Sequence, residues 1–248
     1  MKYYLLLLVI STNIHATEKS ICGSNDDRTL SNDRKVARAS SLRKLVGCTV
    51  TMIGRSCAIS AGHCVDSLEK ASFNVPISDK YGAKESNPSD IYLRTKDYLR
   101  YKDGGRGNDW AIIKLLPNTV TGKYPGDVQG FYKVALNSTP RKSDRVIISG
   151  YGLDSNDPLV SFSQQSDTGS IKKLGSWLKP STIEHTVDTM GGNSGSSIIL
   201  ERTQQIIGIH THGGCDSSGS NYGTLISKNK ILKDVIEQCL DWEKSLAD

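Results

Sequence analysis

The sequence predicts an all-β fold, either a sandwich or a barrel, for a chain of 248 residues. Short apolar runs recur at a spacing of roughly ten residues and are separated by Gly, Pro, Asn and Ser, which is typical of all-β domains. Helical periodicity is confined to the tail, where Ile231, Val235 and Leu240 fit a helix of about three turns with one buried stripe. Apolar residues make up 37% of the chain and glycines number 23, which indicates a loop-rich globular protein.

The first residues have the features of a secretory signal peptide. Lys2 precedes the apolar run Tyr3–Ile10, and Ala16 is the small residue that a signal peptidase accepts. This run is too short to be an anchor, because crossing a bilayer takes about 20 apolar residues. We therefore expect residues 1–16 to be the signal peptide of a secreted protein that has no membrane anchor.

The predicted elements then follow in order along the chain. Residues 17–45 are polar and form an expected N-terminal segment with room for a short propeptide. Apolar runs bounded by turn residues predict eight strand regions: Gly47–Ile59, Phe73–Pro76, Ile91–Leu93, Trp110–Leu116, Arg145–Gly152, Ile183–Val187, Ser197–Leu200 and Gln205–His210. The turn-rich stretch Gly122–Gly130 is the expected hinge between the two halves.

The six cysteines indicate three disulfides in a secreted protein, although the count alone allows 15 connectivities. Cys48 and Cys64 are separated by a strand-like run, and His63 adjoins the second of them. We expect these two to pair and to pin the histidine loop. No cysteine spacing resembles that of a zinc site, so no metal is expected.

The charge pattern argues against nucleic acid as a partner. The net charge is +5, and the cationic residues are scattered among acidic ones along the sequence. Such a pattern is typical of a solvated surface of mixed charge.

Three separate runs contain the residue types of serine-nucleophile catalysis. His63 lies between Gly62 and Cys64, Asp109 precedes an apolar strand, and Ser194 is flanked by glycines. In such sites the serine attacks a carbonyl, the histidine takes and returns the proton, and the aspartate holds the useful imidazole tautomer. Each residue alone also has an ordinary structural explanation, so the prediction depends on the ordered set.

The order of the three residues also argues against an esterase of the α/β-hydrolase type. Those enzymes place the serine first, within Gly-x-Ser-x-Gly. Here the order is His, Asp, Ser, and the second residue after Ser194 is Ser196.

Four motifs resemble those of the chymotrypsin-like serine peptidases, and more closely their bacterial V8-like, glutamyl-endopeptidase branch. They are Ser60–Cys64, Gly107–Ala111, Gly191–Ser196 and Ile207–His210. The resemblance runs from about Gly47 to Ile226 and extends faintly to Asn25–Arg28. It implies two six-stranded antiparallel β-barrels, over residues 46–125 and 126–248, with a helix at the end of the second part.

The resemblance also assigns roles to individual residues. His63 and Asp109 from the first barrel and Ser194 from the second form the catalytic triad, and the N–H groups of Gly192 and Ser194 form the oxyanion hole. It implies protein or peptide substrates and no cofactor, and we expect a monomer. Asn193 departs from the trypsin pattern, in which an aspartate at this position pairs with a newly formed N-terminus. That activation switch is therefore not expected here.

The implied fold suggests how the remaining cysteines pair. Cys57 precedes the histidine loop and lies near the terminal helix that contains Cys239. Cys22 and Cys215 are then left to join the N-terminal segment to the wall of the pocket.

The preferred substrate side chain depends on residues outside the triad. Asp188, six residues before the serine, has the position of a pocket-bottom residue that binds Arg or Lys. His210, with Thr189 as a second donor, resembles the acid-binding residues of glutamyl endopeptidases, and Gly213 and Gly223 keep the pocket walls open in either case. We expect cleavage after Arg or Lys. Cleavage after Glu or Asp is the alternative, as is a catalytically silent binding protein with the same fold.

Overall fold

The computed structural model of the protein describes residues 20–154, 157–215 and 219–244, so the predicted signal peptide lies outside the described residues. Within these ranges the chain forms two antiparallel β-barrels. A short helix, α1 (Pro125–Gln129), lies in the connector between them, and a longer helix, α2 (Lys230–Lys244), follows the second barrel. The predicted all-β fold, with two six-stranded barrels and a terminal helix, is confirmed.

The first barrel begins earlier than the sequence indicates. After the short strand β1 (Thr29–Leu30), its six strands are β2 (Val36–Ser40), β3 (Cys48–Met52), β4 (Cys57–Ser60), β5 (Lys70–Ser72), β6 (Ile91–Asp103) and β7 (Asp109–Leu115). They close in the order β2-β3-β4-β7-β6-β5. Strand β2 lies inside the segment expected to precede the barrel. The strand is buried throughout, but it contains the charged residue Arg38, so the sequence there does not read as an apolar strand. The Arg38 guanidinium donates to the backbone carbonyls of Phe162 and Lys84.

The second barrel also contains six strands, and the short strand β1 pairs with one end of the strand Gln165–Leu174. The strands are β8 (Arg145–Gly150), β9 (Gln165–Leu174), β10 (Thr182–His185), β11 (Ser197–Leu200), β12 (Gln205–His212) and β13 (Asn221–Leu225). Pairing of β8 with β9 closes the ring. Isoleucine and valine side chains dominate its interior, and β-branched residues pack well in such sheets.

Helix α2 packs on the first barrel, where Val235 and Leu240 of the predicted stripe are partly buried against the core. Leu232, Ile236 and Cys239 are its buried residues, whereas Ile231 is 56% exposed. The Cys57–Cys239 disulfide fixes this rotation, because it holds Cys239 against β4. Within the described part of the chain, no helix has the length and apolar character needed to cross a membrane.

The three disulfides join the cysteine pairs expected from the sequence and the resemblance. Cys48–Cys64 connects β3 to the turn that contains the histidine, and Cys57–Cys239 attaches α2. Cys22–Cys215 ties the N-terminal segment to the loop after β12. Two of the three bonds therefore fasten the N-terminal segment and helix α2 to the barrels.

Candidate active site

A histidine and a buried aspartate meet at the junction of the two barrels. Asp109 is the first residue of β7 and is fully buried, and His63 lies in a 3₁₀ turn, Gly62–Ser67, directly after β4. The His63 Nδ1–H group donates to Asp109 Oδ2 over 2.6 Å. This bond fixes the tautomer that leaves Nε2 of His63 available as a base.

The Asp109 carboxylate is held by further hydrogen bonds. Its Oδ1 accepts the backbone N–H groups of Gly62 at 2.5 Å and His63 at 3.1 Å. Thr224 Oγ1, from β13 of the second barrel, donates to the Asp109 carbonyl over 2.8 Å. The first barrel thus orients the Asp109 carboxylate, while the Asp109 backbone is hydrogen-bonded to the second barrel.

Opposing effects set the pKa of His63. Burial acts to lower it, but the hydrogen bond to Asp109 and the charges of Asp109 and Asp103 act to raise it. The net result is a pKa above the ordinary histidine value of 6.5. Because the side chain is 33% exposed, its outer edge can still reach a ligand.

Ser194 is carried to this pair by a loop between β10 and β11. The Ser194 carbonyl accepts the N–H of Thr49 over 2.9 Å and lies 3.8 Å from Cys64 Sγ. A ring nitrogen of His63 lies within 4.8 Å of the same sulfur. No hydrogen bond joins Ser194 Oγ to the His63 ring, and such bonds often form only when substrate is bound.

Gly195 permits this close approach of the loop to the first barrel. Its φ of +88° is disfavoured for residues with a side chain, and a Cβ there would collide with Ser60 Oγ and the Thr49 carbonyl. Glycine is therefore required next to Ser194.

Two unused backbone donors flank Asn193 in the loop around Ser194. The N–H groups of Asn193, Gly195 and Ser196 donate to carbonyls within the structure. Those of Gly192 and Ser194 have no acceptor among the described residues. Gly192 has a φ of +104°, and its carbonyl accepts a hydrogen bond from Thr49 Oγ1. Two such donors on one turn suit a developing oxyanion.

A buried arginine supports the same loop, and sequence reasoning did not single it out. The Arg28 side chain is 1% exposed and forms an ion pair with Asp26 at 2.6 Å. Its Nη1 donates to Asn193 Oδ1 over 3.4 Å, and Nη2 donates to the Leu153 carbonyl over 3.0 Å. Asn193 Oδ1 also accepts the N–H of Met190. The faint resemblance at Asn25–Arg28 was the available signal for this residue.

The Asp188 carboxylate, predicted to lie at the bottom of the substrate pocket, accepts two hydrogen bonds from the N-terminal segment. Its Oδ1 accepts the N–H of Cys22 over 2.6 Å, and its Oδ2 accepts the N–H of Asp27 over 2.9 Å. Burial raises the pKa of Asp188 despite these two bonds, and the charges of Asp167 and Asp26 act in the same direction. The carboxylate is thus engaged by the N-terminal segment.

His210 and His185 form a buried pair in the second barrel. His185 Nε2 and His210 Nδ1 are 3.2 Å apart. Burial lowers the pKa of His185 to about 3, and burial followed by the neighbouring histidines holds the pKa of His210 well below its ordinary value. Both rings are therefore neutral at physiological pH. Thr189 is also buried, and its hydroxyl accepts a hydrogen bond from Asn221 Nδ2 over 3.1 Å.

The two glycines expected in the pocket walls occupy different surroundings. Gly213 directly follows β12, at the end nearest the histidines. Gly223 lies within β13, where a Cβ would collide with the Ile209 carbonyl and meet the Ile198 side chain. Gly223 therefore allows close strand packing inside the barrel.

A third histidine, which the sequence analysis did not single out, lies beside the His63–Asp109 pair. His212 Nδ1 is 3.9 Å from Asp109 Oδ2, and the rings of His212 and His63 are 5.9 Å apart. His212 is the last residue of β12, and its proximity to Asp109 depends on how the two barrels pack, which the sequence does not show.

Comparison with known proteins places the chain among peptidases. The family model described as Trypsin matches residues 27–236. The chain is 24% identical over 242 residues to a glutamyl endopeptidase of Bacillus licheniformis, which covers 92% of this chain and 70% of that protein. It is 30% identical over 112 residues to a glutamyl endopeptidase of Staphylococcus aureus (strain MW2), which covers 45% of this chain and 31% of that protein.

Solved structures agree on the fold. A Glu endopeptidase in complex with MPD matches with a TM-score of 0.67 and 20% identity, covering 89% of this chain and 100% of that one. The structure of HBP matches with a TM-score of 0.64 and 12% identity, covering 86% and 97% of the two chains. Because the family match extends over most of the sequence, the chain belongs to the trypsin family of serine endopeptidases.

Proposed function

We propose that the protein cleaves peptide bonds with Ser194 as nucleophile, His63 as general base and acid, and Asp109 as the partner of His63. The observation that carries this proposal is the 2.6 Å bond between His63 and the buried Asp109, beside the loop that bears Ser194. Three disulfides fit an oxidising, extracellular environment. We further propose that the protein is secreted and acts as a monomer.

The reaction follows from the positions of these groups. Ser194 Oγ attacks the substrate carbonyl as its proton passes to His63 Nε2, and Asp109 stabilises the resulting imidazolium. The N–H groups of Gly192 and Ser194 receive the oxyanion, which in other enzymes contributes about 3 to 4 kcal/mol per donor. His63 then protonates the leaving amine, and it later activates the water that releases the acyl group from Ser194.

We propose that the cleaved bond follows an acidic residue, which was the alternative in the sequence analysis. If His185 Nε2–H donates to His210 Nδ1, the proton of His210 resides on Nε2, which has no partner among the described residues. His185 Nδ1 is buried without a partner in the described structure in either tautomer. The opposite tautomer would place an unpaired N–H donor there, and buried unpaired N–H groups are rarer than unpaired acceptors. A neutral His210 can therefore donate to a substrate carboxylate, and the Thr189 hydroxyl can add a second donor.

The surroundings of Asp188 favour the same choice. A basic substrate side chain needs a carboxylate directed toward it, whereas the Asp188 carboxylate is directed toward the N-terminal segment, where each oxygen accepts a backbone N–H group. The relatives named glutamyl endopeptidase support the acidic preference independently.

Kinetics on matched peptides test this proposal. The peptides share one sequence and differ only in Glu, Gln or Lys at the cleaved position. We expect cleavage after Glu, no cleavage by Ser194→Ala, and a loss of at least about tenfold in kcat/KM with His210→Ala, since one charge-assisted hydrogen bond is lost. Cleavage after Lys that disappears in Asp188→Asn would establish the basic pocket instead.

A further inference from the structure

A concave surface next to the candidate active site is strongly cationic. The cavity measures about 480 Å³, and none of its described lining residues is acidic. Its five cationic side chains define what we call the basic groove: Lys102, Arg106, Lys179, Lys228 and Lys230. These residues come from separate segments, so the groove exists only in the folded protein.

Most of this charge is not neutralised locally. Lys102, Lys179 and Lys228 are exposed and form no ion pair with any residue that the structure describes. Lys230 pairs with Asp234 at 2.6 Å and contributes less. The start of helix α2 also lines the groove, and its backbone dipole adds partial positive charge.

The groove adjoins the catalytic machinery. Gly107 and Asn108 line it and immediately precede Asp109 in the chain. The Arg106 guanidinium carbon lies 3.6 Å from the centre of the Tyr222 ring. Tyr222 is the cross-strand partner of His212, whose ring is 5.9 Å from that of His63. The groove therefore lies beside the strands that carry Asp109 and His212.

We propose that the basic groove binds an acidic segment of the protein substrate while the scissile residue occupies the active site. This inference rests on the proposed function, because it assigns the groove to substrate recognition. Opposite charge in a groove beside the reacting bond raises the rate of encounter and favours acidic partners. A concave surface fits an extended peptide better than it fits a flat membrane.

Paired peptides test the groove. Each pair has the same Glu cleavage site and continues into either an Asp-rich or an Asn-rich segment, placed before the site in one pair and after it in the other. We expect at least one pair to show kcat/KM about tenfold higher for the acidic member at low salt, with the advantage shrinking as salt rises.

Charge reversal identifies the surface responsible. In the double variant Lys179→Glu, Lys228→Glu the advantage should disappear while cleavage of the neutral peptides stays unchanged. The control variant Lys123→Glu, Lys142→Glu changes net charge equally, outside the groove, and should keep the advantage. The proposal would be overturned if the unmodified protein showed no kcat/KM advantage for the acidic peptide, or if that advantage survived in the groove variant. It would also be overturned if the groove variant lost kcat/KM equally on the acidic and the neutral peptide.

A binding measurement separates this inference from the proposed function. Fluorescence anisotropy of a labelled Asp-rich peptide with the Ser194→Ala protein reports on the groove even if no Glu peptide is cleaved. We expect binding that falls with salt and is lost in the groove variant. Lysine-dependent binding of a sulfated polysaccharide or of anionic vesicles, without binding of the acidic peptide, would assign the groove to another partner and contradict the inference.

Discussion

At the scale of single residues, His63 shows how neighbouring charges tune a reactive group. Its burial disfavours the protonated form, yet Asp109 and the more distant Asp103 more than compensate. Asp103 is directly opposite Asp109 in the pairing of β6 and β7, and it is exposed to solvent. Its influence on His63 is therefore electrostatic and sensitive to salt.

Removing the Asp103 charge should extend activity to lower pH. With Asp103→Asn the pKa of His63 falls, so the acid limb of the kcat/KM profile moves down by about 0.3 unit at low salt. Asp97→Asn, an exposed acid in the same strand, is the matched control and should leave the limb in place. A shift upward in Asp103→Asn would contradict this electrostatic account.

Arg28 presents a different situation, because it is a buried cation with fixed partners. Arg28→Ala leaves Asp26 and Asn193 without this donor, so we expect the free energy of unfolding to fall by about 3 to 5 kcal/mol. We also expect lower activity, since Asn193 lies between the two proposed oxyanion donors. Urea denaturation measures the first effect. Arg145→Ala, which breaks the exposed pair with Glu201, should cost less than about 1 kcal/mol.

At the scale of elements, two of the disulfides differ in what they hold in place. One attaches a helix and stabilises the fold, and the other also positions an active-site residue. Cys57–Cys239 attaches α2 to the back of the first barrel, where Glu243 accepts the N–H groups of Arg55 and Cys57. Cys48–Cys64 instead adjoins His63. Their removal should therefore have different consequences.

The paired variant Cys57→Ala, Cys239→Ala should lose stability and keep its chemistry. We expect the free energy of unfolding to fall by about 2 to 4 kcal/mol, with kcat at low temperature nearly unchanged. The paired variant Cys48→Ala, Cys64→Ala should lose stability and also kcat, because the histidine turn is released. Thermal unfolding and initial rates distinguish the two, and equal losses of kcat would refute the division.

At the scale of the whole molecule, the apolar strands and the terminal helix could be predicted from the sequence, whereas strands made of polar residues could not. Strand β9 contains Gln165, Asp167 and Lys172 among its residues, so it lacks a continuous apolar pattern although it closes the second barrel. The Cys48–Cys64 pair could be predicted from its position beside the histidine loop, and the other two pairs were implied by the resemblance to the chymotrypsin-like peptidases. Cationic residues scattered along the sequence gave no sign of the basic groove, which forms only when distant segments meet.

The candidate triad could be proposed from the sequence because the three motifs are local. The surroundings of Asp188 could not be predicted from the sequence, because its partners Cys22 and Asp27 are far away in the chain and meet it only in the folded state. The same holds for Arg28 and Asn193, and for the His185–His210 pair. The proposed preference for acidic residues therefore depends on long-range contacts that the local motifs do not reveal.

Covalent labelling tests the central claim, that Ser194 acts on bonds following acidic residues. Two peptide phosphonates that differ only in a Glu-like or Lys-like group next to the phosphorus are incubated with the protein, and adducts are located by mass spectrometry of its peptides. We predict one adduct on Ser194 with the Glu-like reagent, none with the Lys-like reagent, and none in Ser194→Ala. Failure of both reagents to label Ser194, or labelling by the Lys-like reagent alone, would contradict the account.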